Sequence, residues 1–474
     1  MSFIQHKKIK NKTYAYEVTS YWDKDLKKTR KHSKYIGPVH QETKEVIKFI
    51  KKNKNIEKLI LDFGDGFFLY KFIKQSGLFG VFNQNIFSKL QEVFPMIIYR
   101  LCFESAMYNC ENWIEGNIIN FLFKDANLSS QRISEIFSVL GEEAIQRSFF
   151  KEYLNLIGGS KKSVIIDATS LPNHINIDLN AWGRSDGKID KQFRLICVID
   201  QLSKTPLFYR LLPGNITDVT TLQTTISELE AMGVENSLVL MDAGYFSESN
   251  ICDLYNKKIN FLSRMPAGRK IYNELILKKS SGLECLKNTN IIGTRTYFVK
   301  SFKIDLYGNK AYAYLILDPE RKAKEIKELS YQYCKNQSER NEKKDSLEFA
   351  ACGIMVLVSS KKTPASEILS SYYMRQSVEQ VFGFSKSDLG LLPIRNHNEK
   401  TVKGYLFFQF LLLILYIKIR ETLPEDCTVE QALLTLRKLK CKVFDNQIIS
   451  AEQTKKQRII FEKAKIMVPN FMGI

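Results

Sequence analysis

Residues 163–167 read SVIID, and residues 237–242 read SLVLMD. Each is a short apolar run that stops on an aspartate, and the first is rich in β-branched residues. Runs of this length and composition predict buried strands rather than helices. Between and beyond them, FRLICVI (193–199), PLFYRLL (206–212) and NFLS (260–263) predict three more strands. Residues 219–232 and 247–257 carry helical spacing. Three strands, a helix, a strand, a helix and a strand make an α/β order with its own core.

Outward from that core the pattern changes. Gly158-Gly159 closes a segment, from about residue 44, whose apolar positions recur at three and four. Within it, SSQRISEIFSVLG (129–141) begins like a capped helix and has a weak likeness to the second half of a helix-turn-helix. Residues 12–36 alternate aromatic and polar side chains around a charged turn at Asp23–Lys28, which predicts a hairpin. After the core, TYFVKSFKI (296–304) and AYAYLIL (311–317) predict strands, and 320–344 a charged helix. A strand at 352–359, a helix from Ser366 to about Ser387, and an apolar helix near 401–420 follow. The expected organisation is a basic hairpin region (1–45), a helical region (46–158), a first part of the α/β domain (159–267), a β-rich insertion (268–352), a second part (353–420) and a helical tail (421–474).

The chain has 474 residues and a net charge of +19. Hydrophobic content of 44% and charged content of 26% are those of a folded globular protein, which excludes a wholly disordered chain. Residues 1–54 hold 15 Lys and Arg against 5 Asp and Glu, about half of the excess charge. Such a segment suits phosphate contacts, whose affinity falls with salt, and equally suits a solvated surface. The longest apolar run, 406–415, falls short of the roughly 18–20 residues that span a bilayer, so a core helix is expected and no membrane partner. The nine cysteines form no CxxC pair and no cluster with histidine. Reduced thiols in a cytoplasmic protein are expected.

Two carboxylates at the ends of neighbouring buried strands would converge on one place. Hard divalent cations take oxygen ligands of this kind, although a lone aspartate after a strand is more often a turn residue. The third element is SYYMRQSVEQVFGFSK (371–386). At 100° per residue, Tyr372, Arg375, Glu379 and Lys386 fall within about 60° of one helix face. An Arg375–Glu379 ion pair one turn apart would explain those two on a solvated helix. It leaves Tyr372 and Lys386 unexplained. Gly383 predicts a bend before Lys386.

The spacing Y-x2-R-x3-E-x6-K, together with strand–Asp167 and strand–Asp242-x-Gly-Tyr, resembles the insertion-sequence DDE transposases with a Tyr-Arg-Glu-Lys signature. The resemblance covers about 160–420. It implies an RNase H-like catalytic domain with a β-rich insertion, preceded by a mostly helical DNA-binding region and a short N-terminal β-hairpin. It further implies that Asp167, Asp242 and Glu379 hold two Mg²⁺ or Mn²⁺ ions, and that Tyr372, Arg375 and Lys386 grip DNA phosphates near the cut. The activity implied is metal-dependent cleavage of double-stranded DNA at terminal inverted repeats, then strand transfer into target DNA. The partners implied are the two element ends, paired by a homodimer in a synaptic complex within the prokaryotic cytoplasm. A DNA-end-binding protein without catalysis, and an RNase H-like nuclease that only hydrolyses, are the alternatives.

Other residues are secondary. Trp182 and Ser185, in a loop before the second strand, resemble a DNA-facing stretch of that family, and Trp182 offers a face for stacking on a base. Buried packing and an ordinary turn are the competing readings, and a turn is preferred for Asp186. His174 and His397 are expected to be ordinary surface or core histidines. Asp218 is expected to cap the helix that follows it.

Overall fold

The computed structural model describes residues 2–10, 12–23, 27–39, 57–86, 89–103, 105–158, 161–185, 187–335 and 342–473. The chain divides into two compact units, residues 1–59 with 443–447, and residues 60–442 with 448–474.

The first unit contains an antiparallel sheet, β1 (Ser2–Ile9), β2 (Lys12–Asp23) and β3 (Lys28–Val39). The predicted hairpin is β2–β3, and β1 adds a third strand on the other side of β2. Period-2 alternation sorts the side chains. Tyr14, Tyr16 and Tyr35 meet on one face, with ring centroids 5.4–6.0 Å apart and the Lys7 ammonium 5.2 Å from Tyr16. The cations Lys8, Arg30 and Lys34 take the alternate register positions.

The second unit opens within β4 (Leu59–Asp62), at Ile60, and continues into the predicted helical region, from Gly64–Gln75 to Glu143–Leu156. The α/β core follows. Its strands are β5 (Lys161–Pro172), β6 (Ala181–Ser185), β7 (Lys188–Asp200), β8 (Pro206–Pro213), β9 (Glu235–Met241) and β10 (Asn260–Arg264). The central order is β8-β7-β5-β9-β10. β7 runs antiparallel to β5 and β8, whereas β5, β9 and β10 are parallel. Among the five main strands this is order 3-2-1-4-5 with the second strand reversed, the RNase H-like arrangement. Helices Leu222–Ala231 and Glu248–Asn256 are the two crossover connections that parallel neighbours require.

The inserted strands continue this sheet. β14 (Ile354–Ser359) pairs with β10, and β13 (Asn309–Leu317), β12 (Arg295–Leu306) and β11 (Thr289–Ile292) follow in turn. β14 is buried along its whole length, as an apolar strand between two neighbours must be. The charged segment after β13 is helical over Pro319–Lys335 and Glu342–Ala351.

The apolar helix extends over Glu399–Thr422, longer than the run that predicted it, and 83% of its most apolar window is buried inside the protein. It crosses the helix Ser130–Leu140 at two glycines. A Cβ on Gly404 would lie 1.7 Å from the Phe137 carbonyl oxygen, and one on Gly141 would lie 1.9 Å from that of Lys400. Phe137 packs between Tyr405 and Phe408, at 5.7 and 5.5 Å. The weak helix-turn-helix candidate is therefore a packing helix of the core. The tail is tied in by Arg437, whose guanidinium bonds the fully buried Asp65 carboxylate at 3.0 Å and the Cys102 carbonyl at 2.5 Å.

Candidate functional site

The parallel pairing of β5 and β9 sets the geometry of the site. Ile166 is level with Met241, so Asp167, still paired with Cys197 of β7, stands beside Asp242, the first residue past β9. Asp167 is 14% exposed at its side chain. Its Oδ1 accepts from the Ala168 amide at 2.9 Å, and its Oδ2 accepts from Arg375 Nη1 at 2.8 Å. Asp242 Oδ1 accepts from the Tyr372 hydroxyl at 3.2 Å. Glu379 is 57% exposed, and its Oε1 accepts from Arg375 Nη2 at 3.1 Å. One guanidinium thus links the first aspartate to the glutamate, and one phenol holds the second aspartate.

Burial pushes the Asp167 carboxyl up from 3.8 to about 6. Arg375 and the Ala168 amide pull it back, and the nearby Asp242 and Asp218 charges add to the rise. The net result is a carboxylate whose charge is costly to hold, chiefly because burial takes it out of water. Burial and then Asp242 push the Tyr372 phenol up to about 12, so it stays a hydrogen-bond donor at neutral pH. Arg375 Nε is buried with no hydrogen-bond partner. Among the described residues, no three His, Cys, Asp or Glu side chains already stand as a metal-binding group.

The segment that delivers Tyr372, Arg375, Glu379 and Lys386 is not one helix, which corrects the single span expected from Ser366 to Ser387. It is a helix Ala365–Tyr373, a helix Gln376–Gly383 and a π-turn Phe384–Asp388. At the first break, the amides of Arg375, Ser377 and Val378 bond three residues back, and Ser377 Oγ takes the Met374 carbonyl at 2.6 Å. A hydroxyl competing for a main-chain carbonyl in this way bends helices. At the second break, the Leu389 amide reaches back five residues to Phe384 O. The change of pitch falls just after Gly383, where a bend was expected. Lys386 Nζ donates to Thr169 Oγ1 at 2.8 Å and to Ser170 O at 3.2 Å. The lysine therefore lies against β5, two residues beyond Asp167.

Trp182 stands elsewhere. It is 62% exposed on β6, opposite Lys191, with the ammonium 6.0 Å from its ring. Cys197, opposite Asp167, is six residues further along β7, a distance of about 20 Å at strand rise. The expected loop is a β6–β7 hairpin, in which Gly183 lets the Gly214 carbonyl approach within 2.2 Å of where a Cβ would stand. The side chain of Ser185, and Asp186, lie outside the described residues.

Two charged residues that sequence reasoning missed stand beside the aspartates. Asp218 does not cap the following helix. Its Oδ1 accepts from Arg194 Nε at 2.6 Å and Nη2 at 2.5 Å, and both side chains are under 20% exposed. Gly244 closes on this pair, since a Cβ there would lie 2.9 Å from Asp218 Oδ2. The available signal was Arg194 itself, a charge inside the apolar run FRLICVI.

Residues 158–415 match the family described as Transposase DDE domain. No curated protein matches the chain. Among solved structures, the chain is similar to a piggyBac transposase in a synaptic complex with hairpin DNA. That likeness has 10% identity and a TM-score of 0.39, and covers 84% of this chain and 70% of the other.

Proposed function

The chain belongs to the transposase DDE domain family, and from that premise we propose that it is the DNA transposase of an insertion sequence. In this reading it cuts at the terminal inverted repeats of its element and joins the freed ends to target DNA. The observation that carries the proposal is the position of Asp167 and Asp242 side by side, with Arg375 and Tyr372 bonded to them and Glu379 on the same guanidinium.

Asp167, Asp242 and Glu379 are the residues that would hold divalent metal, two Mg²⁺ or Mn²⁺ ions. Their carboxylate oxygens are the hard donors these ions take, and the upward push on Asp167, which comes chiefly from burial, is one that a bound cation would offset. When bound, the ions supply activation of the attacking oxygen and stabilisation of the leaving one.

The chain's own residues do the rest. Tyr372 fixes the rotation of the Asp242 carboxylate through its hydroxyl. Arg375 restrains two mutually repelling carboxylates. Lys386 holds its charge beside the end of β5, where a backbone phosphate passing the aspartates would meet it. The basic N-terminal sheet and the helical region serve recognition of the element ends, and two copies pair two ends in the prokaryotic cytoplasm.

A strand-transfer assay tests the reading. Duplex ends carrying the element's terminus and a free 3′-hydroxyl, incubated with the protein, Mg²⁺ and a supercoiled plasmid, are expected to become covalently joined. Hydrolysis of the ends with no joining, under conditions where paired ends form, would contradict it.

A further inference from the structure

Lys386 also lines a cavity of about 520 Å³. It lies within the range of roughly 300–1,000 Å³ typical of small-molecule sites. Among the described residues, three cations line it, Arg100, Lys386 and Arg395, and no acidic side chain does. A cleft lined by one sign of charge concentrates the opposite charge. Ser130 and Ser134 supply hydroxyls from one helix, and the 63% exposed ring of Tyr108 stands at the wall.

The cavity is built, not incidental. Arg100 donates to the carbonyls of Leu389 at 2.9 and 3.1 Å, of Gly390 at 3.0 Å and of Ser105 at 2.8 Å. All of those acceptors are neutral, so the guanidinium is locked in place with its positive charge uncancelled by them. Gly390 makes this possible twice. Its φ of +56° is left-handed, and a Cβ there would lie 2.0 Å from Arg100 Nη2. The Tyr405 hydroxyl donates to the same loop, at Gly390 O. The segment after Lys386 is thus tied to the helical region, and Lys386 belongs both to the cavity lining and to the aspartate site.

We propose that this cavity binds an unpaired segment of the DNA strand, with its phosphates against Arg395 and Arg100 and a base stacked on Tyr108. Fixed cations beside an exposed aromatic ring are the means by which proteins hold single-stranded nucleic acid. The assignment rests on the transposase reading for its partner, DNA, and extends it to residues outside the Tyr-Arg-Glu-Lys signature.

The test is binding without catalysis. The full chain in EDTA is titrated against a dye-labelled eight-nucleotide single strand and against a blunt duplex. Tyr108→Ala and Arg395→Glu alter exposed side chains, and melting curves check their folding. Each is expected to weaken single-strand binding at least about fivefold, with duplex binding changed less than about twofold. Wild-type protein is also expected to photo-cross-link a 5-iodouracil single strand at Tyr108. Equal losses for both DNAs would mean a duplex-backbone surface and overturn the proposal. So would unchanged single-strand binding, or no cross-link near Tyr108. Because nothing is cut in EDTA, these results stand apart from the strand-transfer assay: failure to join ends would defeat the transposase reading while leaving the single-strand result intact.

Discussion

Asp167→Asn, studied without metal, isolates the cost of burying a carboxylate at the centre of the site. The wild-type carboxyl is pushed from 3.8 to about 6 in the folded protein, mainly by burial. A folded carboxyl that binds its proton more tightly than the unfolded one loses stability as pH rises through that window. The penalty is about 1.6 kcal/mol at pH 5 and about 3 kcal/mol at pH 7.5, because each pH unit separating the folded and unfolded titration midpoints costs about 1.36 kcal/mol once both forms are ionised. Asparagine does not titrate. Whatever it gains or loses against Arg375 is the same at both pH values, so only the change with pH is diagnostic. Urea denaturation in EDTA should show the variant's stability, relative to wild type, rising by about 1.4 kcal/mol from pH 5 to pH 7.5. A constant difference would refute the reasoning, since it would mean that the Arg375 ion pair, and not burial, sets the titration. Adding Mg²⁺ at pH 7.5 should then stabilise wild type and not the variant.

Arg375→Ala should cost about 3–5 kcal/mol at pH 7.5 in EDTA, read by denaturation, because it strips a largely buried Asp167 of its only ion pair among the described residues. The same variant should weaken binding to an element-end duplex in a gel-shift assay. Asp218→Ala should destabilise by a similar amount, about 3–5 kcal/mol, by leaving Arg194 uncompensated. Gly404→Ala should lower stability by at least about 1–3 kcal/mol, because the new methyl collides with the Phe137 carbonyl in a well-packed crossing. Its denaturation midpoint, compared with that of a solvent-facing Gly383→Ala control, checks this.

The parts of this protein that could be read from sequence are those where local chemistry and tertiary demand agree. SVIID and SLVLMD lie in the interior of the sheet, so their apolar runs are unbroken; Asp242 marks the end of its strand, whereas the strand of Asp167 runs on to Pro172. Tyr372, Arg375 and Lys386 could be associated by spacing, and each bonds at or beside the two aspartate strands. Of the path of their helix only the second break could be read, at Gly383. Its breaks come from a serine hydroxyl taking a carbonyl and from a pitch change after a glycine, and neither disturbs the apolar period. The β6–β7 hairpin was hidden because its strand AWGRS is short, exposed and polar. The Arg194–Asp218 pair joins residues 24 apart whose separate contexts look like a strand and a cap. Arg100 reaches a loop 289 residues away, a contact that spacing along the chain cannot register.

The most direct test of the central claim is cleavage of a labelled duplex that carries the element's end and its flank. The comparison is Mg²⁺ against EDTA, and wild type against Glu379→Gln. The account predicts nicking at the end junction by wild type in Mg²⁺ only, and none by the variant, with the variant's folding and DNA binding retained. Full cutting by Glu379→Gln, or cutting by wild type in EDTA, would contradict it.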